Sequence, residues 1–468
     1  MQQLTPQDAV FLSIETPELP AHIGGLAFLA PTEGVDFSYD HFVEFVRERL
    51  GPIERFSWQL QEVPLGLDRP YWVTREDFDP ADHIHSIRIP APYSPEALSK
   101  LVGRIFERPM DRSRPLWDMV LIEGLPGERY VMLWRMHHCL MDGASGANLS
   151  EQLFDLTADA KRPAPAKIVD KASATKRVED RDVFIRAARN AAELPLKQSK
   201  YIQSALKGLF EKKAPQEESA ESTLAPVAPW NGVVGGHRGL AWSSVSLEDV
   251  KRIKNTLGVT VNDVVLAITG GAIRGYLQDQ DELPESSLVA SVPCSMRTAD
   301  DKSLGNQIRE MPISWATNIE DPIERIMAIN ESSKKAKQEA HDGASFDLIG
   351  MLSESLLPGA LNLFMRGAAA AGEKMPLPAN AVVSNVPMAP FPLFCAGARI
   401  EQVVPISLLA PTQGLNITVL SYDGQLHFGL VHDPKLVPHA WDLAGRVAKS
   451  LIDLQEAVDR GIDADPSL

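Results

Sequence analysis

The stretch His137-His138-Cys139-Leu140-Met141-Asp142-Gly143 decides how the rest of the chain is read. The residues before it, Tyr130 to Met136, are almost wholly apolar and β-prone, which predicts a strand buried on both faces that ends at the histidines. Successive strand residues point to opposite faces, so His137 and His138 do not share one cavity. One histidine works as a general base and the other packs. The same opposition argues against a metal site built on both imidazoles, and neither a metal nor a cofactor is expected. Asp142, followed by Gly143 to permit a tight turn, has two readings: it polarises the imidazole, or it turns away to tie the loop down against an arginine.

Outward from this stretch the chain alternates strand and helix signals. Thr5-Pro6-Gln7-Asp8 opens a helix, with threonine as cap, proline in the first turn and Asp8 reaching back to the cap amide. Glu15 falls at that helix's end. A strand over Ile23 to Leu29, a helix over Tyr39 to Leu50, and strands over Met119 to Ile122 and Tyr130 to Met136 predict a mixed α/β unit over 1–160, closed by a helix from Asn148 to Leu156. A second unit over 230–468 follows from strands at Leu240–Val245, Leu288–Pro293, Leu415–Leu420 and Leu426–Val431 and a helix at Val261–Leu277. Residues 161–229 join the two, with linker-like composition at both ends. Within this linker, 181–213 carries eight Lys/Arg against three Asp/Glu, and Ile202, Ala205, Leu206, Leu209 and Phe210 share one helical face. That stretch is either a packed crossover helix or a basic amphipathic element that meets anionic lipid.

At 468 residues and 44% hydrophobic content, the chain can bury two cores. Its 62 acidic and 46 basic side chains give a formal charge of -16, which argues against a nucleic-acid partner. Cys139, Cys294 and Cys395 are odd in number, widely spaced and set among apolar residues, as reduced thiols are. The amino terminus has no basic-then-apolar leader, and no apolar run reaches the length of a membrane span. A cytoplasmic protein is therefore expected. The chain contains no GxSxG, GxxxxGK[ST] or HExxH pattern, so a serine hydrolase reading lacks its nucleophile.

HHxxxDG does not stand alone. Pro20-Ala21-His22-Ile23-Gly24-Gly25, Pro115-Leu116-Trp117, Asn262-Asp263, Pro293-Cys294-Ser295-Met296-Arg297, Gly305-Asn306-Gln307 and Ser384-Asn385-Val386-Pro387 follow in order. With these blocks the chain resembles the bacterial wax ester synthase/diacylglycerol acyltransferases, of the HHxxxDG acyltransferase superfamily, over nearly its whole length. One departure is Met388, where that family usually has glycine after Ser-Asn-Val-Pro; a bulkier residue there narrows a nearby channel.

The resemblance implies two chloramphenicol-acetyltransferase-like domains, each a mixed sheet with helices, with a tunnel at their junction. It implies acyl-CoA as a substrate and a long-chain alcohol or diacylglycerol as acceptor. Peripheral contact with the inner membrane face or lipid droplets goes with that chemistry. Neutral imidazole can take the hydroxyl proton and return one to the departing thiolate, and His138 corresponds to the family's base. The resemblance also favours the structural reading of Asp142, with Arg297 preferred over Arg135 as its partner. Asn262 is a candidate donor to the developing oxyanion, whereas Thr260-Val261-Asn262-Asp263 reads as a capping box in which Asp263 finishes a helix start. Ser384 and Asn385 line the tunnel or shape a loop, Glu15 is a candidate substrate contact, and Trp117 belongs to the core. The competing readings are a related acyltransferase with another acceptor or a carrier-protein donor, and a non-catalytic lipid-droplet homologue.

Overall fold

A computed structural model describes residues 2–75, 77–140, 152–159, 179, 181–190, 225–295, 308–341, 356–371 and 377–464. Its strands are β1 (Gln2–Gln3), β2 (His22–Pro31), β3 (Trp58–Gln61), β4 (Tyr71–Thr74), β5 (Ile84–Arg88), β6 (Trp117–Glu123), β7 (Tyr130–His137) and β8 (Gly239–Ser246). They continue with β9 (Val289–Ser295), β10 (Ile308–Ser314), β11 (Ala381–Pro387), β12 (Phe394–Cys395), β13 (Ala398–Ile406), β14 (Leu415–Tyr422) and β15 (Gln425–His432). The helices are α1 (Pro6–Ile14), α2 (Tyr39–Leu50), α3 (Pro95–Phe106), α4 (181–190), α5 (Leu247–Leu257), α6 (Val261–Gln278), α7 (Pro322–His341), α8 (Pro358–Ala371) and α9 (Ala440–Ala464).

Local sequence explains several of these elements. Thr5 caps α1 by accepting from the Asp8 amide at 3.1 Å. Its hydroxyl in turn donates to the Asp8 carboxylate at 2.7 Å, so this link is made by the cap's side chain rather than its amide. Ser38 caps α2 in the same way, and Thr260 and Asp263 form a reciprocal capping box at the start of α6. The expected strand pair at 415–431 is the antiparallel hairpin β14–β15, turned through Asp423-Gly424 with both residues at positive φ.

Two six-stranded mixed sheets organise the chain, in the orders β12-β13-β2-β7-β6-β5 and β10-β9-β11-β14-β15-β8, beside a small sheet β1-β4-β3. The expected division at residue 230 needs correction. Strands β12 and β13 come from the second half, yet they complete the first sheet, β13 running antiparallel to β2 from Ala398↔Pro31 to Ile406↔Gly24. The cause is an open edge: β2 pairs with β7 on one side only, and the apolar Ile400, Val403, Val404 and Ile406 supply the missing partner and are buried. One apolar core fills each half, and a third, with Leu26, Val102, Leu133, Leu240, Val404 and Val431, runs between them. From the first half, α3 packs on β8, with the Ser99 hydroxyl donating to the Leu240 carbonyl.

The helix expected over Asn148–Leu156 is helical only at 152–153 among its described residues; Asp155 instead bridges Phe394 beside β12. The apolar face at 202–210 lies outside the described residues. Within the basic segment, α4 buries Val183 and Ala187 against Val63 and Tyr71, while Phe184 and Ile185 on it stay exposed.

The two sheets touch most closely where β15 passes β13. A Cβ on Gly429 would lie 1.9 Å from the Pro405 carbonyl oxygen, so only glycine permits this approach. Gly429→Ala should lower stability by about 1–3 kcal/mol, the usual cost of overpacking, read as a lower urea midpoint. Gly445→Ala, on α9 with open space around the added methyl, should leave the midpoint unchanged or raise it slightly.

Candidate active site

The expected buried strand is β7, and it ends at His137, one residue before His138. The backbone turns there: the His138 amide donates to the Ala21 carbonyl at 2.8 Å and the Leu140 amide to the His137 carbonyl at 2.9 Å. The two histidines are therefore separated by a strand end rather than by strand alternation. His138 stacks on Phe11 of α1, ring centroids 3.8 Å apart and 13° from parallel. This apolar plate restricts the ring's rotation while leaving it half-buried.

His137 is wholly buried. Its Nδ1 accepts from the Cys139 amide at 3.1 Å, which fixes the tautomer with the proton on Nε2. That nitrogen lies 3.5 Å from Glu15 Oε1. The same oxygen is 3.6 Å from His22 Nε2 and accepts from the Ala21 amide at 3.2 Å. Arg112 donates to the other carboxylate oxygen at 2.8 Å. Burial pushes the Glu15 carboxyl up, but the His137 and Arg112 contacts outweigh it and hold it at about 2, so it is anionic. Burial, with Arg135 and His137 nearby, pushes His22 down to about 3, so its ring is neutral.

Glu15 is thus committed to protein partners, which corrects its assignment as a substrate contact. It ends α1, the helix that also carries Phe11, and through Ala21 and His137 it grips both main-chain attachments of the His138 turn. Asp142, Gly143 and Arg297 lie outside the described residues. Arg135, the other arginine considered for Asp142, forks onto Asp118 at 3.1 and 2.5 Å, donates to the Ile105 carbonyl in the last turn of α3, and to the Arg108 carbonyl just beyond it at 2.8 Å. Trp117 is buried, its indole N–H donating to the Phe56 carbonyl at 2.8 Å. Asp263 is spent on structure: it accepts from the Thr260 amide and hydroxyl and from Asn330. Asn262, beside it on α6, and Ser384 and Asn385, on β11, are half-buried and belong to the second sheet's half of the molecule. Met388 follows β11 and packs against the first half's core.

Cys139 is buried in that core, and burial raises its thiol well above the ordinary range, so no thiolate forms beside His138. Sequence reasoning missed His22 and Arg112. His22 had a readable signal: it sits in the Pro20–Gly25 block, and it pairs with His137 across β2 and β7. Arg112 had none, since only the folded loop after α3 brings it to Glu15.

Residues 4–265 match the family model described as wax ester synthase/diacylglycerol acyltransferase catalytic domain, and residues 304–455 match the WS/DGAT C-terminal domain. The chain belongs to this family. A relative from Mycobacterium tuberculosis (strain ATCC 25618 / H37Rv), named as a diacylglycerol O-acyltransferase, is 34% identical over 97% of this chain and 100% of its own. The O-acyltransferase WSD of Acinetobacter baylyi is 30% identical over 95% of this chain and 94% of its own. The solved wax ester synthase/diacylglycerol acyltransferase from Marinobacter aquaeolei VT8 superposes with a TM-score of 0.71 and 26% identity over 98% of this chain and 100% of that one. The first condensation domain of the CDA synthetase shares the fold, with a TM-score of 0.54 and 17% identity, covering 100% of this chain and 96% of that one.

Glu15→Leu should remove the acceptor shared by two imidazoles and Arg112, destabilising the protein by about 3–5 kcal/mol as breaking a buried pair does. Glu15→Gln should keep the shape and lose the charge. For wild type, this carboxylate's contribution is complete above its ordinary value of 4.5 and is lost as pH falls toward about 2. Urea midpoints measured from pH 6 to 3 should therefore fall less steeply for Glu15→Gln than for wild type.

Proposed function

We propose that this family member transfers the acyl group of an acyl-CoA to a long-chain alcohol or to diacylglycerol, with His138 as general base in a direct, ternary-complex reaction. Membership of the family makes it an O-acyltransferase; the acceptors and the role of His138 are our reading. The observation that carries the reading is the mounting of His138, whose ring is clamped on Phe11 and whose main chain is pinned to Ala21 next to the anionic Glu15–His137 pair.

In that mechanism the His138 ring takes the hydroxyl proton as the alcohol oxygen attacks the thioester carbonyl. The carbon–sulfur bond then breaks, and the imidazolium returns the proton to the departing CoA thiolate. No acyl-enzyme is required, and the buried, protonated Cys139 offers no alternative nucleophile. The donation of Asn262 to the oxyanion, and the lining of the acyl path by Ser384 and Asn385, form part of the same proposal.

Contact with a lipid surface is also proposed, and an exposed apolar border around α1 supports it. Leu65, 87% exposed, lies on the turn that abuts α8, whose Leu363 and Phe364 are exposed. Phe184 and Ile185 project from α4 with Arg181, Arg186 and Arg189 exposed around them. Exposed apolar side chains on a helix with three exposed arginines against one exposed aspartate, Asp182, suit an anionic bilayer face.

His138→Ala should slow ester formation by roughly 100-fold to 10,000-fold, the usual worth of a positioned acid/base, with Cys139→Ala nearly silent. Product analysis with palmitoyl-CoA against hexadecanol, diacylglycerol and water checks the acceptor class; hydrolysis alone would sink it. In a single turnover without alcohol no stoichiometric burst of CoA should appear, and a burst abolished by Cys139→Ala would replace direct transfer with a covalent route. Combined Leu65→Asp and Leu363→Asp should abolish flotation with phosphatidylglycerol liposomes while sparing activity on a soluble short alcohol. Unchanged flotation would exclude this surface.

A further inference from the structure

Helix α1 ends without a cap from its own chain direction. A helix leaves its last four carbonyls without intrahelical donors, and Glu15, which follows α1, is extended rather than left-handed, so the backbone does not turn back to meet them. Side chains from elsewhere do so instead. Arg112 donates to the Leu12 carbonyl at 3.2 Å, and Asn362 of α8 donates to the Ser13 carbonyl at 2.7 Å. The last turn of α1 is therefore held in part by a helix from the far half of the chain.

What α1 carries makes this grip consequential. Phe11 is the plate under the His138 ring, and Glu15 holds His137 and Arg112. Ser13 lies midway between them. On one face α1 buries Ala9 and Leu12 in the first core, and α8 packs along it as well. Two glycines allow the close approach at the start of α8: a Cβ on Gly359 would lie 3.3 Å from the Leu65 carbonyl oxygen, and one on Gly66 3.1 Å from the Gly359 Cα. Along α8, Leu361 is buried and Asn362 turns to Ser13, while Leu363 and Phe364 are exposed. Arg366, its one charged side chain, is exposed too. Outward from the base the order is His138, Phe11, α1, α8 and then the apolar border already described.

A helix of 14 residues that contains Gly359 and Gly367 is marginal by its own propensity. Seating Leu363 and Phe364 in hydrocarbon removes their surface from water and favours the helical form, and Arg366 meets anionic headgroups. A steadied α8 keeps Asn362 on the Ser13 carbonyl. Because the turn it grips is a single helical turn, the constraint reaches Phe11 on one side and Glu15 on the other.

We propose that α8 couples the lipid surface to the reaction centre: seating it in an anionic bilayer steadies the last turn of α1 through Asn362 and raises turnover at His138, even on substrates that stay in water. Asn362 is a positioning residue, acting through α1. The coupling rests on the proposed lipid contact and extends it from location to control.

The test uses the full-length protein with hexanoyl-CoA and 1-butanol, with and without phosphatidylglycerol liposomes. In wild type the liposomes should raise kcat by about fivefold or more, the lower end of usual coupling between sites, with KM for both substrates little changed. They should also slow hydrogen exchange of the amides from Leu12 to Glu15. Asn362→Leu keeps the side chain's size and removes its donor; it should float with the liposomes as wild type does, yet show neither response. Flotation of wild type without a rise in kcat or a slowing of exchange, or responses in Asn362→Leu as large as in wild type, would overturn the coupling. If wild type does not float, the lipid contact fails and the coupling falls with it. Failure of the acyl-transfer reading alone would show as absent ester, with the exchange response kept in wild type and lost in Asn362→Leu.

Discussion

The structure depends on β2 having a partner on each side. On one side β7 brings His137 opposite His22; on the other β13 arrives from the far half of the chain. Remove β13 and a long apolar strand edge is bare; remove β7 and the His138 turn has no platform. The third core, between the halves, forms because β13 stays in the first sheet while β14 and β15 continue in the second.

This constraint explains how much of the molecule could be read from its residues. Elements set by local chemistry were legible: the helix over Tyr39–Leu50 coincides with α2, the capping box at Thr260 is present, and the strands around the histidines and at 415–431 lie where apolar patterning put them. The membership of β13 was not legible. An apolar strand such as Val403-Val404-Pro405-Ile406 carries no mark of which sheet it completes, because that choice is made by the free edge it meets rather than by its own residues.

The candidate site divides along the same line. HHxxxDG pointed to a base at a strand end with one histidine packed; the structure buries His137 and leaves His138 half-exposed at the end of β7. Glu15 was noticed but given the wrong partner. Its real contacts, His137, His22 and Arg112, come from three separate segments, and nothing near Glu15 in the sequence names them. The carboxylate that holds His137 is Glu15, at the end of the first helix, 122 residues away in sequence.

The return of β13 to the first sheet has a consequence for biosynthesis. Leu29 meets its partner Ile400 only after most of the chain has been made. At elongation speeds of about 5–20 residues per second, the outer edge of β2 waits roughly 20–75 s on the ribosome without its neighbour. During that interval the nascent first half is a sheet with one sticky margin, open to strand addition from any chain nearby. Yield in a heterologous host should then be governed by translation speed and chaperone supply more than by the stability of the finished fold.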